Sequence, residues 1–277
     1  MGDYAYYNGT IAKYNNIKIP LSDRLIYFGD GVYDVMIGHD SKVFLENEHL
    51  ERLFNSANLL NIHIPFSKSK IHSVFEKLIS LCEYKQYVIY ISVSRNAKER
   101  SHSYMTADGV NLLITIKSFE QSNKNQIDLI TEDDNRYYLC NIKTTNLLPA
   151  VLASSKAERL RCDETIFIRN GIVTECAHSN IFIIKDNFLL THPLSNLILP
   201  GITRGLIINL ARKQNIIQVK EQPFSKEDLF NADEIIISST TKFIKRAASI
   251  DGISVGGRCE YITRMLEDAV RDLYMTT

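Results

Sequence analysis

No stretch of this 277-residue chain approaches the ~18 consecutive apolar residues that a membrane span needs. The sequence therefore predicts no membrane segment. Neither sign of charge is in surplus: Lys and Arg total 32, and Asp and Glu total 32. No global field favours nucleic acid or an anionic surface, so any bound anion has to be held locally. Cysteine is sparse and scattered. Cys82, Cys140, Cys162, Cys176 and Cys259 form no C-x-x-C pair, which points away from a zinc site, any other metal site or a disulfide framework. Reduced thiols in a cytoplasmic protein are the simplest account. The first residues, Met1-Gly2-Asp3-Tyr4, lack a basic stretch followed by an apolar core, which argues against secretion. Tyr6 stands where a myristoylation pattern needs Ser or Thr. No internal repeat or low-complexity segment stands out. What is present is a globular composition, 45% apolar and 23% charged, with length for about two domains.

The apolar spacing predicts two amphipathic helices early in the chain. Leu50, Leu53, Phe54, Ala57 and Leu60 share one face, and Ile71, Val74, Phe75, Leu78, Ile79 and Cys82 repeat that spacing. Residues 87–93 and 110–116, rich in Val, Ile and Tyr, read as strands. The polar stretch 95–109 between them, with Arg100, His102 and Tyr104, reads as a long functional loop. Residues 120–125 are polar and non-periodic and serve as the expected linker. They divide a smaller α+β domain, 1–119, from a larger one, 126–277. In the larger domain a helix over about 149–160 is expected, then a hairpin turned at Asn170-Gly171. Strands at 180–184, 188–191 and 234–237 follow, with helices from Thr203 and over about 261–274. The expected class is a two-domain α+β or α/β fold with its site in the interdomain cleft, where pockets tend to form.

One segment stands out chemically. Cys140-Asn141-Ile142-Lys143-Thr144-Thr145-Asn146-Leu147-Leu148 sets a lysine between an apolar run and a helix start. A lysine drawn partly out of water loses stability in its charged form, and a neutral amine is the nucleophile of Schiff-base chemistry. Gly201-Ile202-Thr203-Arg204 opens a helix whose first N–H groups can bind an anion or simply be capped by Thr203. Ser238-Ser239-Thr240-Thr241 ends a buried strand with four hydroxyls that suit capping or phosphate. Arg52 lies near the apolar side of the first helix, as a surface ion-pair partner or a fork on a phosphate. Glu175 ends a hairpin strand, where a carboxylate is either solvated or available to a ring nitrogen. Arg100 and His102, two apart, face one way in extended chain and are suited to grip one carboxylate.

In this order the segments resemble the fold type IV pyridoxal-phosphate enzymes, the family of D-amino acid and branched-chain aminotransferases. Phe28-Gly29-Asp30-Gly31-Val32-Tyr33-Asp34 is similar to the family's FGDGVYE-like segment. Asn47-Glu48-His49-Leu50-Glu51-Arg52-Leu53 is similar to the helix whose arginine binds the cofactor phosphate. Ile142 to Leu148 matches the Schiff-base lysine segment, and Thr174-Glu175 with Ser179-Asn180-Ile181-Phe182 matches the ring-nitrogen segment. Gly201 to Arg204 and Ser239 to Thr241 match the two phosphate turns.

The resemblance covers nearly the whole chain and implies pyridoxal 5′-phosphate as cofactor. Lys143 would be the catalytic lysine, and Arg52, Glu175, Ile202, Thr203, Ser239 and Thr240 would bind the cofactor. Arg100-Ser101-His102 resembles the carboxylate trap of the D-amino acid enzymes, reaching in from a partner subunit beside Tyr33, which implies a homodimer. The implied activity is transamination of D-amino acids with 2-oxo acids, the cofactor alternating through its pyridoxamine form. A branched-chain L-aminotransferase, an aminodeoxychorismate lyase and a pyridoxal-phosphate-binding protein without turnover are the alternatives on this fold; composition alone leaves a two-domain binding module. Three stretches depart from the family pattern: Cys176-Ala177-His178, Lys242 to Arg246, and Met36 to His39. They bear on the preferred amino acid rather than on the cofactor.

Overall fold

The computed structural model of the protein describes residues 2–97, 99–105 and 107–276, with the side chains of Ala97 and Asp108 outside the description. The chain divides into two compact units. Among the described residues the first runs to Glu120 and includes Ile142–Asn146, and the second is Gln121–Asn141 with Leu147–Thr276. Among the described residues no helix is long and apolar enough to cross a membrane.

The first unit holds strands β1 (Tyr4–Tyr7), β2 (Thr10–Lys13), β3 (Gly31–His39), β4 (Lys42–Val43), β5 (Gln86–Ala97) and β6 (Ala107–Ser118). Its helices are α1 (Arg24–Phe28), α2 (Glu46–Leu59) and α3 (Lys68–Leu81). The strands form an antiparallel sheet in the order β2-β1-β6-β5-β3-β4. Leu50, Leu53 and Ala57 of α2, with Ile71, Val74, Phe75 and Leu78 of α3, are buried in the same core as Val32, Ile89, Ile91 and Ile114 of the sheet. Both helices thus lie where the 3.6-residue spacing put them. Each buried Leu or Ile contributes on the order of 2 kcal/mol through the water it sheds.

The expected loop 95–109 is shorter than the sequence implied. Arg95 pairs with Val110 and Ala97 with Ala107, so β5 and β6 run on into the polar stretch. Backbone pairing needs no apolar side chain, and polarity alone hid these strand ends. The segment Ile142–Asn146, expected in the 126–277 domain, groups with the first unit instead. It is bound there by backbone: Tyr33 N–H donates to Lys143 O (2.9 Å), Thr145 N–H donates to Gly31 O (3.1 Å), and Val32 bridges Thr144.

The second unit contains β7 (Gln126–Asp133), β8 (Glu164–Arg169), β9 (Ile172–Cys176), β10 (Asn180–Lys185), β11 (Phe188–Thr191), β12 (Gln218–Glu221), β13 (Glu234–Ser239), β14 (Phe243–Ile250) and β15 (Ile253–Ser254). Its helices are α4 (Leu148–Arg159), α5 (Ile202–Lys213), α6 (Lys226–Phe230) and α7 (Glu260–Thr276). The nine strands form one mixed sheet in the order β12-β11-β10-β13-β14-β7-β8-β9, with β15 beside β14. Asn170 (φ 53°) and Gly171 (φ 78°) turn the β8–β9 hairpin in the left-handed region that a two-residue hairpin turn requires. Ile166, Val173, Ile181, Ile183, Ile235 and Ile237 supply its core.

Candidate active site

The sequence-predicted site residues fall into two groups, each within one unit. In the first unit the group begins on α2. Its inner face carries not only Leu50, Leu53 and Ala57 but a polar stripe at helical spacing, His49, Arg52 and Ser56, all buried. Ser56 Oγ accepts the Lys143 N–H (3.1 Å), tying the lysine's backbone to the helix while Tyr33 N–H donates to the lysine's own carbonyl. The lysine is therefore fixed from both sides of its peptide. Its Nζ lies 3.5 Å from Tyr33 Oη and 4.4 Å from the centre of the Tyr33 ring. That ring stacks on Tyr90 (5.3 Å), whose hydroxyl burial, with Tyr33 beside it, pushes up to about 12.

Arg52, expected as a surface ion-pair partner or a fork on a phosphate, is buried and forks onto a carboxylate of its own unit. Nε donates to Asp34 Oδ2 (2.9 Å) and Nη2 to Asp34 Oδ1 (2.8 Å). Asp34 Oδ1 is also 2.8 Å from His49 Nδ1 and accepts the Val35 N–H (2.8 Å). Burial alone would raise the Asp34 carboxyl, but Arg52 and His49 outweigh it and hold it well below the usual carboxylate range. His49 moves down, first through burial and then through the charges of Arg52 and Lys143, against the pull of Asp34. Arg52 was visible in the sequence as a charge beside an apolar face. Asp34 was not, because β3 brings it in from 18 residues away.

Arg100 and His102 stand on the exposed loop between β5 and β6. The Arg100 guanidinium lies over the Phe28 and Tyr27 rings (5.1 and 5.7 Å to the centres), and the His102 ring is tilted against Phe28 (5.4 Å). One aromatic ring thus serves both members of the pair.

The second unit brings together Glu175, Asn180 and the start of α5. Glu175 is held on both oxygens: Oε1 by the Arg136 guanidinium, Oε2 by Asn180 Nδ2 (3.0 Å) and the Leu199 N–H (3.0 Å). Arg136 also binds Asp134 through Nε and Nη2 (2.9 Å each). Burial works against the Arg136 charge, but Asp134 and Glu175 outweigh it and raise its pKa. Arg136 sits in a loop with no periodicity to mark it in the sequence. Asn180 reaches further, donating to Leu199 O (3.0 Å), and its side chain lies where a Cβ on Gly201 would fall. Glycine is required there to let the chain pass over Asn180.

The same asparagine joins two expected phosphate elements. Asn180 pairs in register with Ser238 on β13, one residue before Ser239 and Thr240, while its side chain touches Gly201, the N-cap of α5. The N-cap of α5 is Gly201, and among the described residues no side-chain cap is made there, so the first N–H groups of the helix are left to other partners and the helix dipole adds a partial positive charge. A helix start of this kind, close to a hydroxyl turn, has the donors that an anion would need.

Two of the stretches that depart from the family pattern meet at one residue. Glu164, fully buried at the start of β8, accepts from Lys242 Nζ (2.5 Å), Ser179 Oγ (2.9 Å) and the His178 N–H (2.8 Å), and pairs with His178 Nδ1 (2.8 Å). Burial would raise its carboxyl, yet His178 and Lys242 bring it down to about 2. His178 is thus turned onto Glu164, and the extra positive charge of Lys242 compensates a buried acid.

Residues 31–250 match the family model described as amino-transferase class IV. A D-alanine aminotransferase of Bacillus licheniformis is 33% identical over 270 residues, covering 96% of this chain and 95% of its own. One from Listeria innocua is 38% identical over 269 residues, with 94% and 92% covered. Among solved structures, a branched-chain amino acid aminotransferase of Escherichia coli superposes with a TM-score of 0.89 at 28% identity, over 99% of this chain and 95% of that one. A putative 4-amino-4-deoxychorismate lyase of Legionella pneumophila gives 0.85 at 25%, with 93% and 96% covered. With the match spanning most of its length, the chain belongs to the class IV aminotransferase family.

Proposed function

We propose that this aminotransferase exchanges amino groups between D-amino acids and 2-oxo acids with pyridoxal 5′-phosphate as cofactor. D-alanine with 2-oxoglutarate, giving pyruvate and D-glutamate, is the expected pairing. The observation that carries the reading is the likeness to D-alanine aminotransferases, which runs almost the full length of both chains.

The donor set suits the cofactor. The α5 N-terminus, with Ile202 and Thr203 uncapped above Asn180, and the Ser239-Thr240 turn would hold its phosphate. Arg52 would add its guanidinium to that phosphate while Asp34 steadies it. Glu175, fixed on both oxygens, would face the ring nitrogen, and Lys143 would carry the cofactor on its amine. Bound there, pyridoxal phosphate supplies a protonated ring that accepts the electrons left when Cα–H is broken.

The remaining steps belong to the chain's own side chains. Lys143 Nζ would take the proton from the substrate Cα and hold it for return. Tyr33 Oη lies beside that amine and orients it. Arg100 and His102 grip the substrate carboxylate, reaching the partner's site in a cytoplasmic homodimer. With the carboxylate fixed, only one hand of amino acid turns Cα–H toward Lys143.

A substrate panel tests this. The holoenzyme with 2-oxoglutarate is offered D-alanine, L-alanine, L-valine and L-leucine, and the oxo-acid product is measured. D-alanine should give pyruvate at least about a hundredfold faster than any L-amino acid, on the scale of one mispositioned reacting group. Preference for L-valine or L-leucine would reverse the assignment in favour of the branched-chain reading.

A further inference from the structure

The Arg100–His102 pair is exposed, and a grip on a carboxylate requires both side chains to be held in one geometry. Four observations show what holds them. Arg24, only 4% exposed, directs its guanidinium at the backbone of that loop. Nη1 donates to Ser101 O, Nη2 donates to His102 O (3.2 Å), and Nη1 lies 3.5 Å from Ser103 O. Arg24 opens the single-turn α1 whose last residue, Phe28, supplies the ring under both Arg100 and His102. Asp23 caps that turn by accepting the Leu25 N–H (2.9 Å), and is itself tied to the sheet by Ser94 Oγ (3.0 Å) and Asn111 Nδ2 (2.8 Å).

Asp30 completes the arrangement. Oδ2 accepts from Arg24 Nε (2.7 Å) and Oδ1 from Arg95 Nε (3.0 Å). Arg95 lies over the Tyr104 ring (4.0 Å to the centre) at the far end of the same loop, and donates to Asn61 O (2.8 Å) and Leu60 O. One carboxylate from the Phe28-Gly29-Asp30-Gly31 segment thus fixes two guanidinium groups, each of which holds one end of the loop.

We propose that Arg24, fixed by Asp30, is the positioning residue that makes Arg100 and His102 a single carboxylate-binding unit, with Phe28 as their shared platform. This rests on the carboxylate-grip reading given above. Arg24 does not touch substrate. It sets the backbone from which the two substrate-binding side chains project, so its loss acts on substrate binding before it acts on the proton-transfer step.

The test compares Arg24→Gln with Arg100→Ala in the holoenzyme. Arg24→Gln leaves Asp30 paired with Arg95, so the acid keeps a partner and the fold should survive. KM for D-alanine should rise about tenfold to a hundredfold, the worth of one or more charge-assisted hydrogen bonds. The kcat value should change less than about threefold, because the proton-transfer groups are untouched. Cofactor absorbance should be unchanged, and amide exchange over residues 99–105 should quicken. Phe28→Leu, which keeps the volume and removes the ring, should raise KM in the same direction. A wild-type KM and wild-type exchange in Arg24→Gln, with Arg100→Ala raising KM, overturns the positioning role and leaves the grip standing. An Arg100→Ala enzyme with unaltered KM refutes the grip, and this inference with it.

Discussion

Replacing Asp34 by Asn separates what Arg52 does for the fold from what it does for a phosphate. The substitution keeps the size of the side chain and removes the charge that Arg52 binds through two hydrogen bonds at 2.9 and 2.8 Å. Removing one partner of a buried pair costs about 3–5 kcal/mol, because the other charge stays buried without compensation. Asn retains one oxygen as an acceptor, so the lower end, about 3 kcal/mol, is expected. At ~2–4 °C per kcal/mol for chains of this size, thermal unfolding followed by circular dichroism should shift down by about 10 °C. Arg52→Met alone should also destabilise. The double variant should lose about 1–3 kcal/mol less than the sum of the singles, since neither buried charge is then left alone. Titrating each apoprotein with pyridoxal phosphate gives the second readout. If Arg52 serves only Asp34, the double variant recovers cofactor affinity along with stability. If Arg52 also holds the phosphate, stability recovers and affinity does not, and this is the outcome expected here. Additive losses, or an Asp34→Asn penalty under about 1 kcal/mol, would mean that Asp34 and Arg52 are not a coupled buried pair.

Acid should find Glu164. Its carboxyl is held at about 2 in the folded chain against an ordinary 4.5, so its stabilising contribution is present above pH 4.5 and lost as pH falls toward 2. Unfolding midpoints across that window should be flatter for Glu164→Gln than for the wild type, and equal slopes would count against the assignment. Gly201→Ala places a methyl group on Asn180 Oδ1 and should lower stability by about 1–3 kcal/mol through overpacking. It should also weaken pyridoxal-phosphate binding in an apoprotein titration; unchanged affinity would mean that the α5 start does not hold the phosphate.

Elements that announce themselves through periodicity were legible. The faces of α2 and α3 follow from apolar spacing, and the β8–β9 turn follows from Asn170-Gly171, because a two-residue turn at positive φ has few chemical solutions. Partners brought together over long separations were not. Asp34 reads as one more acid on a strand until β3 sets it under α2. Arg24 belongs to a helix of five residues, too short for any period to show, and its importance lies in carbonyls 77 to 79 residues away. Glu164 gives no local sign, although both of its basic partners do: His178 and Lys242 each stand out against the family pattern. Two unexplained changes in one sequence can mark a shared third residue. The buried charges of β14 hid that strand in the same way, since Arg246 is matched by Glu234 and Glu260 from other elements.

Lys143 is the amine proposed to carry the cofactor. Borohydride reduction of the holoenzyme, followed by peptide mass mapping, addresses it without reference to turnover. The reduced pyridoxyl group should appear on the peptide containing Lys143 and on no other lysine. Label at a different lysine, or no covalent label on a cofactor-loaded protein, would contradict it.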